Sequence, residues 1–330
     1  MMKFIIIALL FNITLFAKVQ TLYNHKGKIW GMTKTDNQHL AFTTIDGGVF
    51  LLNIKTKKAT KLKVDFPGLL VEGQGGLLDI YFFKNKLYFT YSFKSSKGNT
   101  TRLASYNFEK GKLTNFKALY TANAFESTTH HYGSRIHIFE DKIYFTVGDR
   151  GKRDKAQLTE FDNGSIIRLN LDGSIPDSNP IKKNAIYSFG HRNSQGITSH
   201  EGIVYNGEFG PQGGDEINLI QAGKNYGWPI ITYGEEYGGG NIGSKIKEGF
   251  VQPLKFWVPS LSFSEIIFNK NKLYLACLGS EKLVELEFKD KKLINQKDVS
   301  ENLKERFRTL EVIDEKVYFA TDAGTIGFIL

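Results

Sequence analysis

A chain of 330 residues with 41% hydrophobic content, Gly 33 and Pro only 7 can bury a large core, which excludes an intrinsically disordered or collagen-like chain. A single cysteine, Cys277, excludes an intrachain disulfide and any zinc or iron–sulfur centre built on several thiolates. The net charge of +9 is scattered over turn lysines such as Lys55, Lys57, Lys58, Lys270 and Lys272, a distribution that argues against nucleic-acid binding and for solvated turns and protected sheet edges.

At the N-terminus, Lys3 precedes an apolar run from Phe4 to Phe16, and Ala17 stands before Lys18. A run of about 13 residues has the length of a signal-peptide core and is too short to cross a bilayer as a helix. Residues 1–17 are therefore expected to be a cleaved signal peptide, with a buried N-terminal helix as the alternative, and residues 18–330 a single exported domain. No cysteine follows the run to carry a lipid, so the mature chain is expected in the periplasm without membrane attachment.

A strand phrase then recurs along the chain. It reads NQHLAFTTIDG from Asn37, NKLYFTYS from Asn85, DKIYFTVGD from Asp141, NKLYLACLG from Asn271 and EKVYFATDAG from Glu315, with a weaker copy, EGIVYNGEFG, from Glu201. Each copy is a polar turn pair, then β-branched and aromatic residues at period two, then small residues: a hairpin leading into a half-buried strand. Copies lie about 44 to 70 residues apart, which suits one four-stranded blade per copy. An all-β, six-bladed β-propeller is expected, because a pair of sandwiches does not explain the repeat. Phe93–Thr101, Lys152–Asn163 and Tyr233–Gly249 are Gly-rich or polar and are read as long loops.

Five segments break this grammar with dense Gly and polar residues: EGQGGLLDI at Glu72, HHYGSRIHI at His130, GHRNSQG at Gly190, GEFGPQGGDEINLIQAGKNYGWP at Gly207 and ERFRTLEV at Glu305. In the first, Gly73, Gly75 and Gly76 let a loop carry Gln74 close to a flat ligand, or simply connect two blades. In the second, His131 opens a strand whose hairpin partner ends at Asp149, and an imidazole backed by a carboxylate is a general base of fixed tautomer. A surface His pair with a turn Asp is the competing reading, and His130 itself stays unassigned. Arg192 brings always-charged donors suited to negative charge on an oxygen, or else bridges blades. Gly210 and Pro211 offer carbonyls and Asp215 and Glu216 carboxylates, a hard-oxygen set that suits calcium, or a polar turn without metal. Arg306 and Arg308 sit two apart, so a strand points both to one face, either toward an anion or along an exposed edge.

These segments, in this order, resemble the soluble PQQ-dependent aldose and glucose dehydrogenases of the glucose/sorbosone dehydrogenase family, where PQQ is pyrroloquinoline quinone. The resemblance runs from about Gly73 to the C-terminus, and GPQGGDEINL with NYGWP is its most specific part. It implies that His131 takes the substrate proton and Asp149 orients it, with Ser134 where the family has glycine. It also implies that Gln74, Arg192, Asn193, Ser260, Arg306 and Arg308 contact PQQ. Gly210 and Pro211 would hold calcium beside the cofactor, and Asp215, Glu216 and Tyr226 lie where structural calcium ligands occur. Trp257 matches an aromatic wall, whereas Trp228 is read as core packing. The implied reaction is oxidation of the C1 hydroxyl of an aldose to the lactone, with electrons passed to an external acceptor.

One position departs from the family. Its members carry a lysine just after the strand corresponding to NKLYLACLG, where this chain has Leu278 and Gly279, with Lys282 about three residues on. Two other functions compete with the oxidoreductase: a calcium-dependent propeller lactonase or esterase, which needs side-chain oxygens converging on a channel metal, and a sugar-binding propeller without cofactor.

Overall fold

The computed structural model describes residues 18–289 and 292–330, so the expected signal peptide at 1–17 lies outside the described residues. Six four-stranded antiparallel sheets follow one another round an axis: blade 1 spans 29–61, blade 2 77–121, blade 3 136–189, blade 4 194–257 and blade 5 263–298. Blade 6 takes three strands from 307–329 and its fourth from Val19–Asn24, which pairs with Thr325–Ile329. The ends of the chain thus close the ring, and neighbouring blades meet through their first, axial strands. This is the six-bladed β-propeller that the repeat predicts.

The recurring phrase is the second strand of every blade: His39–Thr44, Lys86–Ser95, Lys142–Val147, Ile203–Glu208, Lys272–Cys277 and Lys316–Thr321. Its polar pair is the tight turn from the axial strand, with both residues at positive φ in Lys84-Asn85, Glu140-Asp141, Glu201-Gly202 and Asp314-Glu315. The phrase is apolar because second strands are buried on both faces, as in the BBBBB runs of 40–44 and 143–147. Fourth strands such as Lys292–Asp298 are mostly exposed and lysine-bearing, which blunts the outer edges.

Each seam between blades holds its own apolar cluster. Phe89 and Leu77 with Val49 fill the first seam, Phe145 and Ile167 with Tyr88 the second, and Phe319 with Phe307 and Leu283 the fifth. The seam between blades 3 and 4 is built on Tyr144, Ile197 and Tyr226, and Cys277 is sealed between blades 4 and 5. At about 1.5–3 kcal/mol for each buried large side chain, these seams supply the main drive for closing the ring.

One expected loop is a strand pair. Residues 93–101 extend the hairpin of blade 2, with Phe93 opposite Thr100 and Ser95 opposite Gly98. Thr100 and Thr101 are buried, and the Arg102 guanidinium lies 3.1 Å from the Phe93 ring centroid, so polar residues there are paired rather than solvated. Residues 152–163 contain a short 3-10 helix, Arg153–Gln157, and 233–249 remain irregular.

The axis is plugged by Arg135, which is fully buried. Its Nη1 lies 2.7 Å from Asp79 Oδ1 and 2.9 Å from Glu265 Oε2, and its Nη2 donates to the Arg308 carbonyl at 2.7 Å. Its Nε donates to the Gln195 and Ser264 carbonyls, and its Cζ is 4.3 Å from the Trp30 ring centroid. From its place at the start of blade 3, this one side chain touches all five other blades. It divides the channel into two cavities.

Candidate active site

The larger cavity, about 610 Å³, opens where the axial strands begin. Loops entering those strands supply its walls, and ten of the expected site residues line it: Gln74, His131, Arg192, Asn193, Gly210, Pro211, Asp215, Ser260, Arg306 and Arg308. Asp149, Glu216 and Tyr226 do not line it.

His131 sits just before the axial strand Ile136–Phe139, at φ 54°. Its Nδ1–H donates to Asp149 Oδ1 at 2.7 Å, and its backbone N–H donates to Gln74 Oε1 at 2.9 Å. Asp149 is 1% exposed and is gripped on every side. Its Oδ1 also accepts from the Gly151 N–H and its Oδ2 from Trp228 Nε1 at 2.8 Å, while its own N–H donates to the Arg192 carbonyl. Burial alone would raise its carboxyl, but the His131 hydrogen bond and charge, the Gly151 N–H and Arg192 together hold it below the usual carboxylate range. The approach needs glycine beside it, since a Cβ on Gly148 would lie 2.1 Å from the His131 carbonyl oxygen. Ser134, in the family's glycine position, is held at φ 85°, a region costly for a residue with a Cβ. His130 meets the His131 ring edge-on at 4.7 Å and does not line the cavity.

Arg192 is 6% exposed and tied down at both ends. Its backbone N–H donates to Glu208 Oε2 at 2.7 Å and its Nη1 to the Gly210 carbonyl at 2.7 Å, yet its buried Nε has no partner. A buried guanidinium N–H without an acceptor costs about 1–3 kcal/mol. Asn193 accepts from the Gly133 N–H through Oδ1, joining blade 4 to the His131 loop. Gln74 is placed by its glycines: Gly73 has φ 60°, and a Cβ on Gly76 would lie 2.1 Å from the Ile45 carbonyl.

Arg306 and Arg308 both face the cavity, as their spacing predicts, and both bind Asp322. Arg308 meets it twice, Nε to Oδ1 at 2.8 Å and Nη2 to Oδ2 at 3.0 Å, while Arg306 Nε reaches Oδ2 at 3.1 Å. Burial raises the Asp322 carboxyl, but Arg308, Lys28 and Arg306 more than offset this and hold it low. Asp322 was invisible in the sequence because TDAG reads as a turn. Lys28 was also missed; its ammonium is 3.9 Å from Asp322 and it lines the cavity. Gly279 lines the cavity too, but Lys282 lies away from it, 3.6 Å from Asp298. Among the described residues the charged lining is thus Lys28, Arg192, Arg306 and Arg308 against Asp215 alone.

The expected metal residues separate. Asp215 is spent on the Gly210 N–H, the Ser260 hydroxyl and the Ser262 N–H, and burial pushes its carboxyl up. Glu216, next along the strand, turns to a small recess behind Arg192, where Glu208 and Tyr226 also sit. Burial and then Glu208 raise the Glu216 carboxyl well above its usual range. The Tyr226 hydroxyl donates to the Leu219 carbonyl and accepts from the Gln221 N–H, so it is already committed. Among the described residues no three His, Cys, Asp or Glu side chains gather at one point. Trp257 is core, its Nε1 donating to Gln296, and Trp228 is buried with its indole holding Asp149.

Comparison with known proteins places this geometry. The sequence profile of the glucose/sorbosone dehydrogenases matches residues 26–329. The aldose sugar dehydrogenase of Escherichia coli K12 is 27% identical over 336 residues, covering 93% of this chain and 90% of that protein. Its apo-form crystal structure superposes with a TM-score of 0.88 at 26% identity, over 95% of this chain and 98% of that one. Quinoprotein glucose dehydrogenase B of Acinetobacter calcoaceticus is 33% identical over 241 residues, 62% of this chain and 50% of that enzyme. The chain spans about half the length of two of the curated relatives it matches. With the profile covering all six blades, the chain belongs to the glucose/sorbosone dehydrogenase family.

Proposed function

We propose that the chain is a PQQ-dependent, calcium-assisted aldose dehydrogenase that oxidises the C1 hydroxyl of an aldose to the lactone and passes the electrons to an external acceptor. The observation that carries this reading is a buried-carboxylate histidine dyad, His131 with Asp149, beside a cavity lined by four cations and one carboxylate. Lys28, Arg306 and Arg308 share the single Asp322 carboxylate behind them, so the lining keeps a cationic excess that suits a polycarboxylate. PQQ, when bound, supplies the two-electron acceptor for the hydride leaving C1.

The chain supplies the rest. Asp149 fixes the Nδ1–H tautomer of His131, leaving Nε2 as the base for the hydroxyl proton, and stabilises the imidazolium that results. Gln74 holds the His131 backbone, so base and cofactor loop share one anchor. Arg306, Arg308 and Lys28 would hold the cofactor carboxylates, with Lys28 standing in for the lysine absent at Gly279. Asn193 and Ser260 add polar contacts from the same wall.

For calcium, the recess offers Glu216 as its freer carboxylate, because Glu208 already takes His191 Nδ1 at 2.9 Å, Asn218 Nδ2 and the Arg192 N–H; a hard cation there would relieve the crowding of the two carboxyls. The Gly210 and Pro211 carbonyls border the cofactor cavity, and calcium there requires Arg192 to give up the Gly210 oxygen. The lactonase reading loses support, because Asp215 alone brings a carboxylate to the cavity. Residues 1–17 are proposed as an export leader to the periplasm; no helix among the described residues is long and apolar enough to cross a membrane.

The test is steady-state oxidation of aldoses with an artificial dye acceptor after loading with PQQ and calcium. His131→Gln should lower kcat by about two to four orders of magnitude while leaving PQQ affinity within a factor of about two. Full activity in that variant would overturn the assignment of the base.

A further inference from the structure

Below Arg135 lies the second cavity, about 440 Å³, separate from the candidate site. It is walled by the far ends of all six axial strands. Its charged and titratable groups come from five blades: Lys34 and Asp36 from blade 1, Asp79 and Tyr81 from blade 2, His137 from blade 3, Glu265 from blade 5 and Glu311 from blade 6. Blade 4 adds the hydroxyls of Thr198 and Ser199.

The carboxylates outnumber the cations that serve them. Asp79 is fully engaged, Oδ1 with Arg135 and Oδ2 with the Ile136 N–H. Glu265 shares the same guanidinium, but only through Oε2, which also accepts from Thr309. Its Oε1 has no partner among the described residues, although the side chain is only 11% exposed and the residue lines the cavity. Glu311 accepts two backbone N–H groups, from Lys34 and Val312, and meets no guanidinium. Lys34 is exposed and its ammonium donates to the Val312 carbonyl, while Asp36 pairs outward with His39. His137 brings no charge, since burial pushes its imidazole down to about 4, with Nε2 against the Ser199 hydroxyl. Burial is the largest influence on the Glu265 and Glu311 carboxyls and pushes both up, against the lowering effect of Arg135 on Glu265 and of the Lys34 and Val312 N–H groups on Glu311.

The remaining lining is hydrocarbon and aromatic, including Ile197, Ile266, Leu310 and Phe268. A bare metal ion does not suit these donors, which nowhere bring three carboxylate or imidazole groups together among the described residues. A cation carrying its own alkyl chain suits both halves of the wall, and the volume falls in the range of small-molecule sites. We propose that this end of the channel is a binding site for a small protonated aliphatic amine, its ammonium taken by Glu265 and Glu311 and its chain by the apolar wall. Because an incoming ammonium favours ionised carboxyls, binding should release protons.

Isothermal titration calorimetry of the full chain tests this, with n-butylamine as probe and 1-butanol as its uncharged counterpart. Expected are saturable binding of the amine, none of the alcohol, and a heat that changes with buffer ionisation enthalpy. Glu311→Gln and Glu265→Gln should each weaken amine binding about tenfold or more, and His131→Gln in the other cavity should leave it unchanged. Glu311 does not touch Arg135, so its variant stays readable even if Glu265→Gln disturbs the axis. No saturable heat, equal binding of the alcohol, or unchanged affinity in Glu311→Gln would overturn the site. None of these outcomes depends on whether the first cavity holds PQQ.

Discussion

At the scale of single residues, the usefulness of His131 rests on its tautomer, and its tautomer rests on Asp149. Asp149 is in turn fixed by Trp228 through Oδ2, so the indole would act on the proposed base at one remove. Trp228→Phe keeps most of the packing and removes that donor. It should cut kcat about tenfold and displace the pH profile of kcat, with little change in PQQ affinity, as read by steady-state kinetics across pH. An unchanged pH profile would reduce Trp228 to packing. The dyad itself was legible because an imidazole opens one strand and a carboxylate ends its hairpin partner. Trp228 was legible only as an aromatic, since nothing in NYGWP says where the indole N–H goes. The same holds for Asp322, whose role depends on Arg306 and Arg308 meeting it across the last hairpin. Its depressed carboxyl gives stability that is present above the ordinary carboxylate range and is lost as pH falls through the depressed value. Asp322→Asn should therefore lower Tm at pH 7, with the gap to the wild type narrowing only once the pH is taken below the ordinary carboxylate range, as thermal melts carried into acid would show.

At the scale of elements, the beginnings of the axial strands hold the candidate site residues, and the second strands of the blades carry the repeat. This explains why the repeat was easy to count while the site lay in segments that broke it. The misread stretch at 93–101 shows the limit of polarity as a guide, since its threonines are buried in a hairpin that outgrows its blade. Arg135 was quoted within a motif without any role, because its partners come from five other blades and no local spacing announces them. Replacing it with methionine leaves Asp79 and Glu265 buried without their cation. Arg135→Met should cost about 3–5 kcal/mol of stability in denaturant unfolding. A loss under about 1 kcal/mol would mean that the axial pin is dispensable.

At the scale of the whole molecule, one guanidinium separates two cavities of opposite character. The upper lining carries an excess of cations and the lower an excess of carboxylates. The six blades could be read from spacing alone. Closure of the ring by Val19–Asn24 could not, because its partner lies at the other end of the chain. The proposed stand-in for the lysine that the resemblance expects near Gly279 is also a matter of the closed ring: Lys28, entering blade 1, lies beside Asp322 of blade 6. If this cationic cavity is a quinone site, titrating the calcium-loaded chain with PQQ, followed by the absorption spectrum of the cofactor, should reach saturation at one PQQ per chain. Arg308→Gln and Lys28→Gln should each lower the affinity at least about tenfold. No saturable spectral change in the wild-type protein would contradict the quinone site.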